Sequence, residues 1–338
     1  MVDRKSRAPA SELKVEPREY ATRAYLDEEP NRKLSNVLGP EFASYRDQWE
    51  STTGTSTPTD RPLCVSFELV DRCNLRCVFC YRNFTPDKGD VLETSVFRRV
   101  LDECAGWKVP SIGFSFGEPL LAHNFKGVVA YTARANILDI IITTNGLLLK
   151  REISELLIHH RITKLHVSID AVSREVFREV RGAKLDTLRQ NIDLFLELRA
   201  KAGTCLPLLR VSFVSLDQNR HEIEPFQKFW QGKADYIDIQ SFQDDSHVDD
   251  LEDLTVPNFH CDYPFRSPTV RGNGNVQPCC SFYGKHLTLG NVSRGDTLRE
   301  IWAGAALARM RETFRLKQYR KACKNCIGRS VLMQADGG

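Results

Sequence analysis

The sequence has no long apolar run. Its uninterrupted hydrophobic stretches are short, such as Ile140 to Ile142 and Leu147 to Leu149, against the roughly 20 residues that a membrane-spanning helix needs. The first thirty residues are heavily charged and contain no apolar core segment, so no secretory signal is expected and the chain is assigned to the cytoplasm. An excess of one charge is also lacking. Lys and Arg number 47 against 44 Asp and Glu, and a net charge of +3 leaves no global footprint for nucleic acid. A complete disulfide framework is not expected from an odd count of 11 cysteines in that compartment. Clustered cysteines there point instead to metal binding or chemistry.

The 338 residues, 41% of them hydrophobic, suffice for one large α/β barrel with an appendage or for two ordinary domains. Charge is uneven along them. Asp244, Asp245, Asp249, Asp250, Glu252 and Asp253 form an acidic stretch, and Arg309 to Arg329 is basic. Both read first as solvated surface.

Residues 1 to about 60 read as an extension and linker. Helical patterns fall at Glu19 to Leu26 and Glu41 to Glu50, and no strand pattern is evident. Ser51 to Asp60 has no apolar residue and reads as a linker. From Pro62 onward strands and helices alternate. Strands are expected at Cys64–Val70, Val109–Phe116, Leu138–Thr143, Lys164–Ile169, Leu206–Val214 and Tyr236–Gln240. Helices are expected at Thr94–Ala105, Phe125–Ala135, Arg151–His160, Arg174–Ala202 with a break near Gly182, and Glu222–Trp230. Six βα units predict a partial (β/α)6 TIM-like barrel over 61–243, with chemistry at the C-terminal strand ends. The remainder, 244–338, is rich in Gly, Pro, Asn and Cys and reads as a small cluster-binding domain. It has a tight turn at Gly272 to Asn275 and one helix over Thr297–Phe314.

Cys73-Asn-Leu-Arg-Cys77-Val-Phe-Cys80 directly follows the first strand. Three thiolates on one loop can hold three irons of a cubane and leave the fourth open for a small molecule. Zinc is the competing reading, but no fourth ligand is near. The C-x3-C-x2-C pattern, with an aromatic before its last cysteine, resembles the signature of the radical S-adenosylmethionine (SAM) superfamily. That resemblance implies a 4Fe–4S cluster on Cys73, Cys77 and Cys80, SAM on the open iron, and Phe79 near the adenine. Gly117-Glu118-Pro119 resembles the family motif that meets the SAM amino group, although Phe116 replaces its first glycine. Asn145 at the third strand end, and Ser168 and Asp170 at the fourth, resemble segments that approach ribose and methionine. Arg181 resembles an arginine with a carboxylate partner, and Ile239 a backbone contact to adenine. Gln240 and Gln243 are candidates to face substrate.

Cys261, Cys279, Cys323 and Cys326 follow with gaps of 17, 43 and 2 residues. This resembles the one-cluster "twitch" form, half of a SPASM domain, and implies an auxiliary 4Fe–4S cluster. A four-cysteine zinc site remains the alternative. Cys280 stands beside Cys279, so the choice of ligand is open, and Cys280 is also a candidate hydrogen-atom donor. Cys64, Cys104 and Cys205 read as packing residues. The basic C-terminal end either offsets the cluster's charge or meets an anionic substrate, such as a nucleotide or sugar phosphate.

The resemblance implies reductive cleavage of SAM by an external reductant, flavodoxin or ferredoxin. A hydrogen atom is then taken from a small polar substrate, sugar- or nucleoside-derived, in natural-product (antibiotic) biosynthesis. The auxiliary cluster would assist a dehydrogenation. Competing readings are a peptide-modifying maturase and a non-catalytic electron-transfer protein. Modification of tRNA is disfavoured by the neutral charge.

Overall fold

The structure is a computed structural model and describes residues 14–18, 21–25, 28–84, 88–256 and 260–331. It opens with an antiparallel hairpin, Lys14–Arg18 (β1) and Ala21–Tyr25 (β2), followed by helices Pro30–Leu38 (α1) and Pro40–Ser51 (α2). The hairpin corrects the helix expected over Glu19 to Leu26 and the reading that this segment has no strands; residues 19, 20 and 26 lie outside the described residues. The cause is tertiary. β2 lies antiparallel on the edge of a later strand, Tyr236–Gln240, which supplies hydrogen bonds that the short segment cannot make alone. Phe42 and Tyr45 of α2 bury against Leu63, Leu206, Leu208 and Tyr236.

The expected alternation then follows. The strands are Cys64–Phe67 (β3), Ser111–Phe114 (β4), Asp139–Thr144 (β5), Lys164–Ser168 (β6), Leu208–Val214 (β7) and Tyr236–Gln240 (β8). Between them lie Thr94–Gly106 (α3), Phe125–Arg134 (α4), Arg151–His159 (α5), Arg174–Arg181 (α6), Leu185–Lys201 (α7) and Ile223–Trp230 (α8). All six strands run parallel in sequence order. This is the partial TIM-like barrel. Its strands are buried on both faces, which is why they read as near-continuous Ile, Val, Leu and Phe. The break at Gly182 is real: that residue adopts φ 70° and closes α6, whose start is capped by the Ser173 side chain.

Two further pieces extend this frame. A short strand, Phe242–Gln243 (β9), pairs with Ser330–Val331 near the end of the chain. After the helical turn Tyr263–Arg266 (α9), Thr269–Val270 (β10) lies parallel to β3 and carries Asn275–Gln277 (β11) and Gly290–Asn291 (β12). One sheet of 11 strands results. The helix expected over Thr297–Phe314 is two, Leu298–Ala303 (α10) and Ala305–Arg315 (α11). Gly304 between them is extended, so the carbonyl ladder stops. Thr297 and Glu300 form a capping box that starts α10. Lys321–Gly328 (α12) and Ser330–Val331 (β13) complete the described chain.

The acidic and basic runs, read as separate solvated surfaces, meet each other. Lys324 pairs with Asp253 at 2.7 Å, Arg329 with Glu252 at 2.9 Å, and Lys285 with Asp249 at 2.6 Å. Each is a surface pair worth at most about 1 kcal/mol, so their effect is to set how the segment lies on α12. No helix among the described residues is long and apolar enough to cross a membrane.

Candidate active site

The parallel strands end on one face, and each end brings a segment to it. β3 leads into the loop carrying Cys73, Cys77 and Cys80. That loop is pinned from both sides. Arg82 donates to Asp71 at 2.7 Å, Val78 N donates to the Val180 carbonyl at 3.0 Å, and the Asn83 amide donates to the Cys77 carbonyl at 2.7 Å. Burial raises all three thiols above their ordinary range, Cys80 to about 11. Cys77 and Cys73 each raise Cys80 further by charge, so the three sulfurs are electrostatic neighbours.

β4 ends in Phe116-Gly117-Glu118-Pro119. A Cβ on Gly117 would stand 2.3 Å from the Val70 carbonyl oxygen and 2.6 Å from that of Arg72, so only glycine fits. Glu118 N donates to the Arg72 carbonyl at 2.7 Å, which fastens this turn to the cysteine loop. The Glu118 carboxyl is only 1% exposed. It accepts from Thr144 Oγ1 at 2.7 Å, Asn145 N at 2.8 Å and Leu120 N at 3.1 Å. Glu118 therefore holds the end of β5 in place. Asn145 in turn donates through Nδ2 to Asn74 of the cysteine loop at 2.7 Å.

At the end of β6, Ser168 lies beside Ser212 of β7. Asp170 is fully buried at φ 66° and accepts from Val214 N at 2.7 Å. Arg181, at the end of α6, pairs with Asp170, approaches Cys77 Sγ to 3.4 Å and lies 5.4 Å from the centre of the Phe79 ring. Phe79, Cys77, Asp170 and Arg181, scattered in sequence, are thus one cluster, and the carboxylate partner of Arg181 within the chain is Asp170. Burial opposes the Arg181 charge, but Asp170 and Cys77 outweigh it and hold the guanidinium above its ordinary value. Ile239 sits within the sheet between Phe213 and Thr22, so its backbone has a strand on each side.

A cavity of about 400 Å³ opens between these strand ends and the C-terminal region. Phe79, Cys80 and Phe116 line it from the barrel, Gln240 and Gln243 from β8 and β9, and Cys261, Cys279, Cys280, Cys323 and Cys326 from the far side. Cys323 is buried and the other four are half-buried, and desolvation raises all five thiols. Cys261 is raised further by Cys279, Cys326 and Cys323. Cys280 instead hydrogen-bonds toward Tyr263. The Gln243 amide donates to Cys326 Sγ at 2.9 Å, and Cys326 Sγ lies 3.2 Å from Ser281 Oγ. A Cβ on Gly284 would come within 3.0 Å of Cys279 Sγ, so the backbone there leaves the sulfur room.

Iron–sulfur clusters fit this donor set. Three soft thiols on the first strand loop and four of the five around the cavity form two donor groups, with N–H donors at sulfurs of both: Leu75 N at Cys73, Arg181 at Cys77 and the Gln243 amide at Cys326. Among the described residues no group of three His, Cys, Asp or Glu is arranged to hold a single metal ion.

Arg271 was not singled out by the sequence, although the turn that follows it was. Its guanidinium stacks 4.1 Å over Phe116, donates to Gln277 at 2.8 Å and to the Ser281 carbonyl at 3.3 Å, and lies 3.7 Å from buried Glu68. It thereby ties the Phe116 turn to the auxiliary cysteines. Phe116 at φ 70° bears strain of roughly 1–2 kcal/mol where glycine would bear none. A stacked cation offsets part of that. Arg271→Leu is expected to destabilise the protein by about 3 kcal/mol, because Glu68 is left buried beside an apolar side chain. An unchanged denaturation midpoint would show that Glu68 does not depend on Arg271.

Comparison with known proteins gives the same architecture. The model of the radical SAM superfamily matches residues 67–228, and that of an iron–sulfur cluster-binding domain, SPASM, matches residues 261–327. A probable GTP 3',8-cyclase of Methanocella arvoryzae is 31% identical over 174 residues, 51% of this chain and 54% of that protein. The chain spans about half the length of the curated relatives it matches. Streptococcus suis SuiB, solved bound to precursor peptide SuiA, superposes with a TM-score of 0.60 at 15% identity, over 83% of this chain and 71% of that one. BtrN, solved in complex with AdoMet and 2-DOIA, superposes with a TM-score of 0.53 at 19% identity, over 78% of this chain and 92% of that one. Both likenesses speak for the fold. With three thiols on the first strand loop, four more beyond the strand ends and both models matched, the chain is an enzyme of the radical SAM superfamily that carries a C-terminal SPASM-type iron–sulfur domain.

Proposed function

We propose that this enzyme takes a hydrogen atom from a small polar molecule held between two clusters. The observation that carries this is the cavity itself. One chamber of about 400 Å³ is lined both by Phe79, Cys80 and Phe116 of the barrel and by Cys261, Cys279, Cys323 and Cys326 of the C-terminal region, where an auxiliary cluster would take part of the space. Its size suits a small molecule. When bound, the reduced cluster and SAM supply a 5'-deoxyadenosyl radical, and the auxiliary cluster supplies an electron acceptor within reach of the same chamber.

The chain's own residues do the rest. Cys73, Cys77 and Cys80 hold the first cluster and leave one iron for SAM. Gly117 keeps the turn close to the cysteine loop, and Glu118 positions Asn145 and the loop end rather than meeting SAM with its carboxyl. Arg181, Asp170 and Phe79 would form a wall for SAM, and Ser168, Pro119 and Ile239, at or just beyond the ends of β6, β4 and β8, would contribute further contacts. Cys261, Cys279, Cys323 and Cys326 hold one auxiliary cluster, a half-SPASM arrangement, and Cys280 faces the chamber as a thiol. Gln240 and Gln243 offer amides to a hydroxylated substrate. A dehydrogenation fits this layout: the substrate loses a hydrogen atom, then one electron and one proton. A flavodoxin or ferredoxin supplies the low-potential electron that starts each cycle. A sugar or aminocyclitol oxidised in natural-product biosynthesis is the substrate type favoured.

One observation favours a second reading. Among the described residues β1 is the outer edge of the sheet, beyond β2 and β8, and an open edge can accept an extended peptide. A peptide-modifying maturase would use it.

The test is anaerobic incubation of reconstituted protein with SAM and dithionite, followed by measurement of 5'-deoxyadenosine. Hydroxylated sugars, aminocyclitols and nucleosides are then screened for faster turnover. Acceleration by one of them, with a product two mass units lighter, is expected. Intact SAM throughout would overturn the reading, and acceleration only by a peptide would establish the second.

A further inference from the structure

The acidic run after β9 contains one carboxylate that faces the cavity. Asp244 accepts from Ser246 N at 2.8 Å, Asp249 pairs with Lys285, Glu252 with Arg329 and Asp253 with Lys324. Asp245 instead lines the cavity, and its enclosed Oδ1 has no hydrogen-bond partner. No Lys, Arg or His is among the residues lining that cavity, and Asp245 is its only charged one among the described residues. Burial and the neighbouring Asp244 charge raise the Asp245 carboxyl to about 7, and the cations that act on it are committed elsewhere: Arg271 to Phe116, Gln277, Ser281 and Glu68, and Lys285 to Asp249.

A buried carboxylate oxygen without a donor is costly and is retained where a ligand supplies one. The rest of the lining names the kind of donor. Phe79, Tyr81, Phe116, Phe242, Tyr263 and Phe282 surround the space. Arg271 takes one face of Phe116, Arg181 lies over one face of Phe79, and Tyr81 and Phe282 stack on each other. The aromatic share therefore comes from Phe242 and the opposite faces of the other rings, where an ammonium gains from ring and carboxylate together. The same lining repels a phosphate or carboxylate, which would be desolvated beside Asp245 with no cation to meet it. The anionic nucleotide or sugar phosphate expected from the basic C-terminal end is thus disfavoured.

We infer that the cavity selects a substrate bearing a protonated amine and that Asp245 is the residue that receives it. This rests on the function proposed above and narrows its substrate to amine-bearing molecules. The amine anchors the molecule on the auxiliary side of the chamber and leaves the remainder toward Phe79 and Cys80.

The test uses three probes of one shape, benzylamine, benzyl alcohol and benzyl phosphate, titrated against the reconstituted holoenzyme by ligand-observed NMR. Benzylamine is expected to bind at least tenfold tighter than benzyl alcohol, with no binding of benzyl phosphate. Asp245→Asn is expected to bring amine and alcohol within twofold of each other, while Asp245→Glu keeps the preference. Iron content shows whether each variant has folded around its clusters. If Asp245→Asn fails that control, the wild-type ranking and Asp245→Glu decide. Benzylamine binding no tighter than the other probes, or a preference that survives in iron-replete Asp245→Asn, overturns the inference. Failure of SAM cleavage in wild type would instead sink the function proposed above and leave the amine preference measurable on its own.

Discussion

Replacing Cys73, Cys77 and Cys80 together by alanine is expected to abolish 5'-deoxyadenosine formation while leaving about half of the iron, a fall from about eight to about four atoms per chain. The expectation follows from how the two thiol groups are held. The first group sits on a loop fixed by Arg82–Asp71, Val78–Val180 and Asn83–Cys77 contacts, none of which uses a sulfur. Alanine there removes ligands without removing the loop's own supports. The second group lies in a separate apolar cluster around Phe265, Tyr283, Trp302 and Met310. Its strands are held by backbone pairing, β10 on β3 of the large sheet and β13 on β9 in a separate two-stranded sheet, and neither pairing uses the sulfurs of the first loop. The auxiliary iron should therefore survive. Loss of all iron would show that the two groups fold around their clusters as one unit. Retention of all eight would show that Cys73, Cys77 and Cys80 are not ligands.

Arg181→Met is expected to cost 3–5 kcal/mol of stability, roughly the penalty for stripping the partner from a buried ion pair. Asp170 is fully buried, and its other stated partner is the single N–H of Val214. Methionine fills most of the volume but leaves the carboxylate in an apolar pocket beside Phe79 and Cys77. Burial already raises the Asp170 carboxyl above its ordinary range, and Arg181 is the largest influence pulling it back. Without Arg181 it rises further. A carboxyl whose folded value is raised destabilises the native state once the unfolded chain ionises. The cost is absent below the unfolded value of about 4, grows as pH rises above it, and is full once pH passes the raised folded value. Thermal unfolding at pH 8 and again near pH 4 measures this, with the larger deficit at pH 8. Arg181→Met combined with Asp170→Asn should recover much of the loss, since no charge is left unpaired. Equal losses at both pH values, or no recovery in the double variant, would mean that Arg181 acts by packing alone. Because Arg181 also reaches Cys77, the same variant should lose deoxyadenosine formation even where it remains folded.

The tertiary frame explains why both groups share one chamber. The hairpin β10–β11 is not a separate module but a continuation of the barrel sheet, and Arg271 at its turn rests on Phe116. The distance between the two thiol groups is thus set by backbone pairing, with little freedom left to a linker. At the opposite edge, β2 covers β8 and α2 packs beneath the strands at Leu63 and Leu208. That covering closes the edge where a partial barrel would otherwise expose unpaired backbone groups.

The sequence by itself determined the six βα units, because period-two and period-3.6 apolar spacing is a local property that survives without its partners. It also determined the thiol inventory and the strand-end positions of Cys73, Glu118, Asn145 and Asp170, because a parallel barrel places every strand's C-terminus on one face. The tertiary structure alone decided three matters. The N-terminal strands exist only because β8 offers an edge, and Lys14–Arg18 and Ala21–Tyr25 carry no strand signal strong enough to show it. Glu118 organises the loop ends instead of facing the chamber, since which way a side chain turns depends on donors 26 and 27 residues away, at Thr144 and Asn145. Asp245 stands apart because it lines the cavity, whereas Asp249, Asp253 and Glu252 find Lys285, Lys324 and Arg329 across gaps of more than 30 residues. Pairing over such separations leaves no periodicity to read, so it emerges only when the chain has closed on itself.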